Sequence, residues 1–419
     1  MIKNNISNLF RKIIYSIGLF TLVIIFIRLV QFNSLLNLSA YFYYKYYFIL
    51  SFLLIACGFI SNYISQNFFE KLFIIIFSFF ISLYFIESFI SINEIFNRGE
   101  DKRSIIKVYK DMIKKNKNVS VSIPPYAYLF KHYEFLPLSH PRNKFIIDCN
   151  QDGKYSINFS DNYGFNNDNE SWKNKIDYVF VGDSIGYGQC LNRKNNIPSI
   201  ISKLNKINVL NLSMPANGLL LNYAILREYK KMFKNAKIIL FINDTDFVDT
   251  SYELKDRILK KYLNDESFTQ KINDIDLSLI HNDIFDKRYK KLPFHDFLML
   301  KKSRLFLKIK MSKGREKISI DNEARKKIDL IFQLISKQFK DSNITVIRLP
   351  LKDQYLDKNY NFQYLYYLEE IVKKYQFKYI NTDEVFSNYE NPLSLFSNKG
   401  HYNEQGYKKV SVYISKKLK

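Results

Sequence analysis

The sequence predicts an α/β protein in which three N-terminal transmembrane helices precede a domain that is built on a parallel sheet and carries a helical insertion. Two observations support this prediction. Apolar residues crowd the first hundred of the 419 positions, and from position 177 onward short β-branched or aromatic runs alternate with helical stretches. Such alternation is typical of βαβ units. The length of the chain favours two or three structural units.

The N-terminal membrane anchor is expected to span residues 1–92. It contains three apolar runs, at residues 13–30, 46–64 and 72–92. Each run is close to the length that an α-helix needs to cross a bilayer. Basic residues flank the first run and also follow the third: Lys3, Arg11 and Lys12, then Arg98, Lys102, Arg103 and Lys107. Because long domains translocate largely regardless of charge, we place the N-terminus inside and the C-terminal domain outside.

The charge of the chain shows no focused basic face. The formal charge is +23, from 63 basic and 40 acidic residues. Lysine is scattered with Asn, Ile, Phe and Tyr along the whole chain, whereas nucleic-acid binding favours a basic patch with stacking aromatic residues. The charge pattern therefore does not predict nucleic acid as a partner, whereas the apolar runs predict a lipid bilayer.

The domain at residues 119–419 follows a polar, Lys-rich segment at residues 93–118, which is expected to be a juxtamembrane helix or linker. Prolines at positions 124, 125, 137 and 141 predict irregular structure at its start. The predicted strands are residues 177–181, 208–212, 237–242, 344–349 and 378–380. The predicted helices include residues 322–339, 363–375 and 404–418. Residues 252–318 break the alternation and predict a helical insertion near the carboxyl edge of the sheet.

The motif GDSIGYG, residues 182–188, directly follows the first predicted strand. Ligands of open parallel sheets bind beyond the carboxyl ends of the strands. A serine on a tight, glycine-flanked turn at that edge presents its hydroxyl and its backbone N–H to a substrate. Ser184 is therefore the candidate nucleophile. A glycine-rich turn that holds a phosphate is the alternative interpretation.

A serine hydroxyl needs a base, and His401 is the candidate among five histidines. It lies on a loop, SNKGHYNEQGY at residues 397–407, directly before the last predicted helix. A histidine on a loop between a sheet and a helix can reach the carboxyl edge. The other four histidines lie where no such edge can be placed.

The serine turn and the final histidine loop resemble the SGNH (GDSL-type) hydrolase family over residues 177–419. The resemblance implies a flavodoxin-like sheet, with Ser184 as nucleophile and His401 as general base. The last sequence block (motif) of this family usually has an aspartate three residues before the histidine, and here Asn398 stands in that position. An amide can hydrogen-bond the imidazole but cannot stabilise its charged form as a carboxylate does. A Ser–His dyad is therefore the expected arrangement.

The same resemblance implies an oxyanion hole with three donors. These are the N–H of Ser184, a backbone N–H of a second block and a side-chain amide of a third block. The second block, NLSMPANG at residues 211–218, places Ala216 where the family usually has glycine. In the third block, NDTD at residues 243–246, a gapless strand alignment selects Thr245, whereas residue chemistry selects Asn243.

Cys149 and Cys190 are candidates for a disulfide if this part of the chain is exported, because such bonds persist only in oxidising compartments. Cys57 lies inside an apolar run. The lead-in motifs at residues 149–155 and 161–167 resemble a membrane-anchored bacterial subgroup of the family. This resemblance implies that both cysteines lie near the serine and that their bridge ties the lead-in loop to the serine turn.

The expected function is that of a serine ester hydrolase in the bacterial inner (cytoplasmic) membrane, with its catalytic domain on the periplasmic or extracellular side. Its substrate is expected to be an acylated glycan or a small ester. The alternatives are an O-acyltransferase in surface polysaccharide modification and an inactive glycan-binding or assembly protein. No cofactor and no metal are expected, because neither Cys/His ligand spacing nor a dinucleotide fingerprint occurs in the sequence.

Overall fold

The computed structural model describes the chain except for residues 1, 32–37, 61–62, 64, 97–100, 151–152, 290–299, 304–321, 358–359, 361 and 399. The chain divides into two compact units, Met1–Ser91 with Asp296–Leu307, and Ile92–His295 with Lys308–Lys419. The parts of the predicted insertion at residues 290–299 and 304–318 lie outside the described residues.

Among the described residues, the first unit contains helices α1 (Ile2–Gln31) and α2 (Leu38–Ile60) and most of α3 (Gln66–Phe96). Within α3, the stretch Ile74–Asn93 has 20 residues and a mean hydropathy of 2.0. Among the described helices, it is the one long and apolar enough to cross a membrane. The apolar stretches of α1 and α2, Ile14–Ile27 and Tyr47–Ile60, are shorter. One of the three predicted spans thus meets the length requirement, and the other two stay predictions.

The second unit includes one helix that the sequence analysis allowed and a small sheet that it did not predict. Helix α4 (Ile105–Ile113) lies within the segment predicted as a juxtamembrane helix or linker. A small sheet follows, formed by β1 (Val119–Val121), β2 (Phe145–Asn150) and β3 (Tyr155–Phe159). The prolines that predicted irregular structure lie in the connection between β1 and β2. Because a proline in a connection removes no N–H from a strand ladder, these residues leave the small sheet intact.

The main sheet has five strands, and every neighbouring pair is parallel. Their spatial order is β5 (Val209–Asn211), β4 (Tyr178–Val181), β6 (Lys237–Ile242), β7 (Ile344–Arg348) and β8 (Lys378–Asn381). Counted along the chain, this is the order 2-1-3-4-5 of flavodoxin-like folds. The predicted α/β class and parallel sheet are confirmed, and each predicted strand forms within one residue of its predicted ends.

Side chains of successive strand residues point to opposite faces of the sheet, and both faces are buried. In β4, Val179 and Val181 pack into one core, whereas Tyr178 and Phe180 pack into the other. Connecting segments contribute to both cores, and the small sheet contributes to the core that contains Val179. Helices contribute to both cores as well. They are α5 (Ser184–Tyr187), α6 (Ile197–Asn205), α7 (Leu219–Tyr229), α8 (Asp244–Glu253), α9 (Arg257–Asn264), α10 (Ser278–Tyr289), α11 (Asn322–Gln338), α12 (Asp353–Leu356), α13 (Gln363–Lys374), α14 (Asp383–Ser387) and α15 (Glu404–Leu418). The predicted helices correspond to α11, α13 and α15.

Candidate active site

Ser184 is the first residue of α5, immediately beyond the carboxyl end of β4. The Asp183 side chain caps this short helix by accepting the Ile185 N–H at 2.9 Å. The helix ends at Gly188, whose φ of +77° is strained for any residue with a Cβ atom. A Cβ atom on Gly188 would also lie 2.4 Å from Asn196 Cβ. Gly188 therefore permits the tight turn that presents Ser184.

His401 lies within hydrogen-bond reach of Ser184. Its Nε2 atom is 3.0 Å from Ser184 Oγ. The histidine sits on a tight loop in which the Ser397 N–H donates to the His401 carbonyl oxygen at 2.8 Å. Asn403 then caps α15 by accepting the Gly406 N–H. The two predicted catalytic residues, 217 positions apart in the chain, thus meet at the carboxyl edge of the sheet.

The Ser184 hydroxyl also has a second acceptor, since its Oγ atom is 3.3 Å from Asp183 Oδ2. The hydroxyl carries one proton, so it donates either to Asp183 or to His401. Nucleophilic attack requires the second arrangement, in which Nε2 of a neutral imidazole accepts the proton. The shorter distance to His401 favours that arrangement.

Asn398 occupies the position where the family resemblance implied an orienting acid. Its side chain is exposed at the tip of the loop, where the Gly400 N–H donates to the Ser397 carbonyl oxygen at 3.3 Å. Within the described part of the chain, the Asn398 side chain makes no hydrogen bond. The hydrogen bond that an amide at position 398 could make with the imidazole is not part of this structure, because the tight turn directs this position to solvent.

The oxyanion-hole candidates Ser184 and Ala216 lie beside the same cavity. This cavity has a volume of about 510 Å³. Among the described residues, neither backbone N–H group donates to another protein atom. Both are therefore available to a developing oxyanion.

Asn243 and Thr245, the two candidates for the third donor, occupy different places. Thr245 lines the cavity, whereas Asn243 is buried beneath the serine turn. Asn243 Nδ2 donates to Asp183 at 2.7 Å, and Asn243 Oδ1 accepts both the N–H and the hydroxyl of Thr245. Asn243 caps α8 and holds the Asp183 carboxylate. The side-chain donors of both residues are thus engaged with protein atoms in this structure.

Ala216 adopts a left-handed conformation, with a φ of +58°. We expect Ala216→Gly to raise the free energy of unfolding by about 0.5–1 kcal/mol, because the strain of an L-residue in this region exceeds the extra backbone entropy of glycine. Ester turnover should persist, since the N–H remains. Thermal unfolding of the two proteins measures the difference.

The matched control is Ala224→Gly in the interior of α7, where the alanine is fully buried. This change should lower the free energy of unfolding by about 1 kcal/mol or more, because glycine is unfavourable in a helix. Equal losses of stability in both variants would contradict the strain assigned to Ala216.

The sequence reasoning missed a group of carboxylates beneath and beside the site. Glu253 is fully buried and accepts the N–H groups of Gly218, Leu220 and Leu221 at 2.6–3.1 Å. Burial raises the pKa of Glu253 to about 8. Burial, followed by the charge of Asp183, raises the pKa of Asp249 to about 6. Glu253 thus anchors the start of α7, next to the loop that carries Ala216.

Asp249 was missed although its position carried a usable signal. It lies four residues after Thr245 on α8, and residues at this spacing share a helix face. Once Thr245 was a candidate for the site, Asp249 became one as well. The cavity is lined by both residues.

Cys149 and Cys190 form a disulfide with a Cα–Cα distance of 4.9 Å. The bond joins the end of β2 to the residues that follow α5. Beside it, Asp148 is buried and accepts the Cys190 N–H at 2.7 Å. Asp148 and the two sulfur atoms lie within 4.8 Å of one another, but sulfurs bonded to each other offer no thiolate to a metal. The bond ties the segment before the main sheet to the serine turn.

The 2-1-3-4-5 sheet, the serine turn after its first strand and the histidine loop before its last helix define an SGNH hydrolase-like fold. Neither a protein-family model nor a curated protein matches the chain. Two solved structures are similar to it in part. One is a lipolytic protein of the G-D-S-L family from Desulfitobacterium hafniense DCB-2, and the other is the salicylyl-acyltransferase SsfX3 of a tetracycline biosynthetic pathway.

The similarity to both structures is low. The lipolytic protein is 14% identical with a TM-score of 0.31, and the alignment covers 58% of this chain and 99% of that protein. The acyltransferase is 11% identical with a TM-score of 0.33, and the alignment covers 58% of this chain and 55% of that protein. At this level neither structure indicates which reaction the chain performs.

Proposed function

We propose that the chain is a serine ester hydrolase that acts on an acyl ester, with the O-acyl groups of a cell-surface glycan as its substrate class. The single observation that carries the proposal is the 3.0 Å distance between Ser184 Oγ and His401 Nε2. The available N–H groups of Ser184 and Ala216 at the same cavity add to its support.

In the first half of the reaction, Ser184 Oγ attacks the ester carbonyl carbon. His401 Nε2 accepts the hydroxyl proton as the new C–O bond forms. The N–H groups of Ser184 and Ala216 hold the carbonyl oxygen while it carries negative charge, and one such donor contributes about 10²–10³-fold in kcat. The bond to the alcohol then breaks, and the alcohol leaves with the proton from His401.

In the second half, water attacks the acyl group on Ser184. His401 accepts a proton from this water and returns it to Ser184 Oγ, and a carboxylic acid is released. No additional reactant is needed. If a sugar hydroxyl takes the place of water, the same acyl-enzyme transfers its acyl group, and the protein is then an O-acyltransferase.

We also propose that α1, α2 and α3 anchor the protein in the bacterial inner membrane as three spans, with the catalytic domain on the periplasmic or extracellular side. The length of the apolar stretch in α3 supports a membrane anchor. Large side chains such as Phe20, Phe85 and Phe89 are exposed on these helices, as a lipid environment requires. The disulfide supports an oxidising compartment for the domain.

The test uses the purified full-length protein in detergent. A fluorophosphonate probe is expected to label it in a 1:1 ratio on Ser184, and Ser184→Ala should remain unlabelled. Incubation with an acetylated glycan, with and without an unacylated acceptor glycan, then separates the reactions by their products. Free acetate indicates hydrolysis, and newly acetylated acceptor indicates transfer. If the intact protein is neither labelled nor able to release or transfer an acyl group, the enzyme proposal is wrong.

A further inference from the structure

Polar and charged side chains form part of the wall of the cavity beside Ser184. The polar and charged residues that line it, besides Ser184 itself, are Ser122, Asp148, Asp183, Gln189, Thr245, Asp249 and Arg288. Its volume of about 510 Å³ suits a small ligand. A long acyl chain would bring no compensating hydrogen bonds to these groups, and their desolvation is unfavourable. The wall therefore favours a polar ligand with a short acyl group.

Asp249 contributes an acceptor to this cavity. Its side chain is partly buried, and among the described residues no group donates a hydrogen bond to its carboxylate. Carboxylates in such surroundings normally have hydrogen-bond partners. A ligand hydroxyl in the cavity would supply one.

Arg288 contributes donors from the helical insertion, at the end of α10. Within the described part of the chain, its guanidinium group makes no ion pair and no hydrogen bond. It lies 5.7 Å from the centre of the Tyr289 ring, which also lines the cavity. The guanidinium is a planar fork of five N–H donors, and this geometry suits two neighbouring oxygen atoms.

The charges of the wall select among ligand classes. An anionic ligand would be repelled by the carboxylates of Asp148, Asp183 and Asp249. A cationic ligand would be attracted by them but would offer no acceptor to the guanidinium of Arg288. A neutral ligand rich in hydroxyl groups satisfies both kinds of side chain, since a hydroxyl donates to a carboxylate and accepts from a guanidinium. The Tyr289 ring adds an aromatic surface next to these polar groups.

We propose that Asp249 and Arg288 form a sugar subsite, which binds the hydroxyl groups of the glycosyl unit that carries the ester. This inference rests on the proposed function and extends it, because it assigns the alcohol part of the substrate to a neutral sugar and makes the insertion a determinant of specificity. Asp249 and Arg288 bind and orient the sugar, and they take no part in bond formation.

The test compares two esters with the full-length protein, a mono-O-acetyl methyl hexoside and 4-nitrophenyl acetate. In Arg288→Gln and Asp249→Asn, we expect KM for the hexoside ester to rise on the order of tenfold or more, because each change removes a charged hydrogen-bonding group. The ratio of kcat/KM for the hexoside ester to that for 4-nitrophenyl acetate should fall by a similar factor. Arg288→Lys should restore part of the ratio.

Lys287→Gln is the matched control on α10, since Lys287 is exposed, pairs with Asp283 at 2.7 Å and does not line the cavity. In Lys287→Gln, the ratio of kcat/KM for the hexoside ester to that for 4-nitrophenyl acetate should stay within twofold of the ratio of the unsubstituted protein. If Arg288→Gln and Asp249→Asn lower the turnover of both esters by the same factor, the subsite proposal is wrong. Such a result would indicate a general defect of the active site, because a defect of that kind affects both substrates. Unchanged KM values for the hexoside ester would overturn the subsite proposal as well.

Equilibrium binding tests the subsite without turnover. Ser184→Ala should bind the mono-O-acetyl methyl hexoside, and Ser184→Ala with Arg288→Gln should bind it on the order of tenfold more weakly. If the Ser184→Ala protein binds no hexoside, the sugar subsite is wrong. Ester hydrolysis of 4-nitrophenyl acetate by the intact protein would then still support the proposed hydrolase, so the two failures are distinguishable.

Discussion

Ser184→Ala and His401→Ala are each expected to lower kcat for ester hydrolysis by on the order of 10⁴-fold or more, and the double variant should lose no more than either single variant. The reason is that the two residues act as one unit. Without His401 the hydroxyl keeps its proton, and without Ser184 the imidazole has no hydroxyl to activate. Steady-state rates on 4-nitrophenyl acetate, with the two single variants and the double variant, measure the effect.

Stability provides the control for these variants. Both side chains are only partly buried, so their truncation should change the free energy of unfolding by less than about 1 kcal/mol. Thermal unfolding curves should therefore overlap with that of the original protein. Losses of rate that multiply in the double variant would show that Ser184 and His401 act independently, and the proposed dyad would be wrong.

Replacement of Cys149 and Cys190 by serine is expected to have the largest effect on stability. The two residues are 41 positions apart, and a cross-link that closes a loop of this length stabilises a domain by about 4 kcal/mol in the chain-entropy description. The double variant should therefore unfold roughly 5–10 °C below the original protein. Differential scanning calorimetry under non-reducing conditions measures the shift.

Cys57→Ser is the matched control, because Cys57 is exposed and has no disulfide partner. It should leave the unfolding temperature unchanged. Mass spectrometry of protein isolated from cells with its thiols blocked should find one pair of cysteines joined and Cys57 labelled. If Cys149 and Cys190 are both labelled, the disulfide does not form in the cell, and the proposed location in an oxidising compartment loses that support.

The elements of the main sheet were predictable because their signals are local. A buried strand such as β6 is a short apolar run, and a turn such as the one at Gly188 needs glycine whatever surrounds it. The small sheet of β1, β2 and β3 was missed for a related reason. Its prolines lie between the strands, and local signals do not distinguish a break inside an element from a break between elements.

The roles of the residues around the serine depended on contacts between distant segments. For the third oxyanion donor, a gapless strand alignment selected Thr245, whereas residue chemistry selected Asn243. In the folded chain, Asn243 donates to Asp183, sixty positions away, and accepts from Thr245. Similarly, the spacing of Asn398 and His401 allowed a hydrogen bond between them, whereas the turn at Gly400 leaves Asn398 exposed. Such outcomes follow from packing, which sequence spacing does not report.

The sequence by itself determined the α/β class, the five parallel strands and the pair Ser184 and His401, since each follows from hydrophobic periodicity or from a motif at a strand end. Only the tertiary structure decided that Ser184 Oγ lies 3.0 Å from His401 Nε2 and that Asp249 and Arg288 line the same cavity. These side chains come from four separate segments. Their distances depend on how the segments pack around the sheet, and no local pattern contains that information.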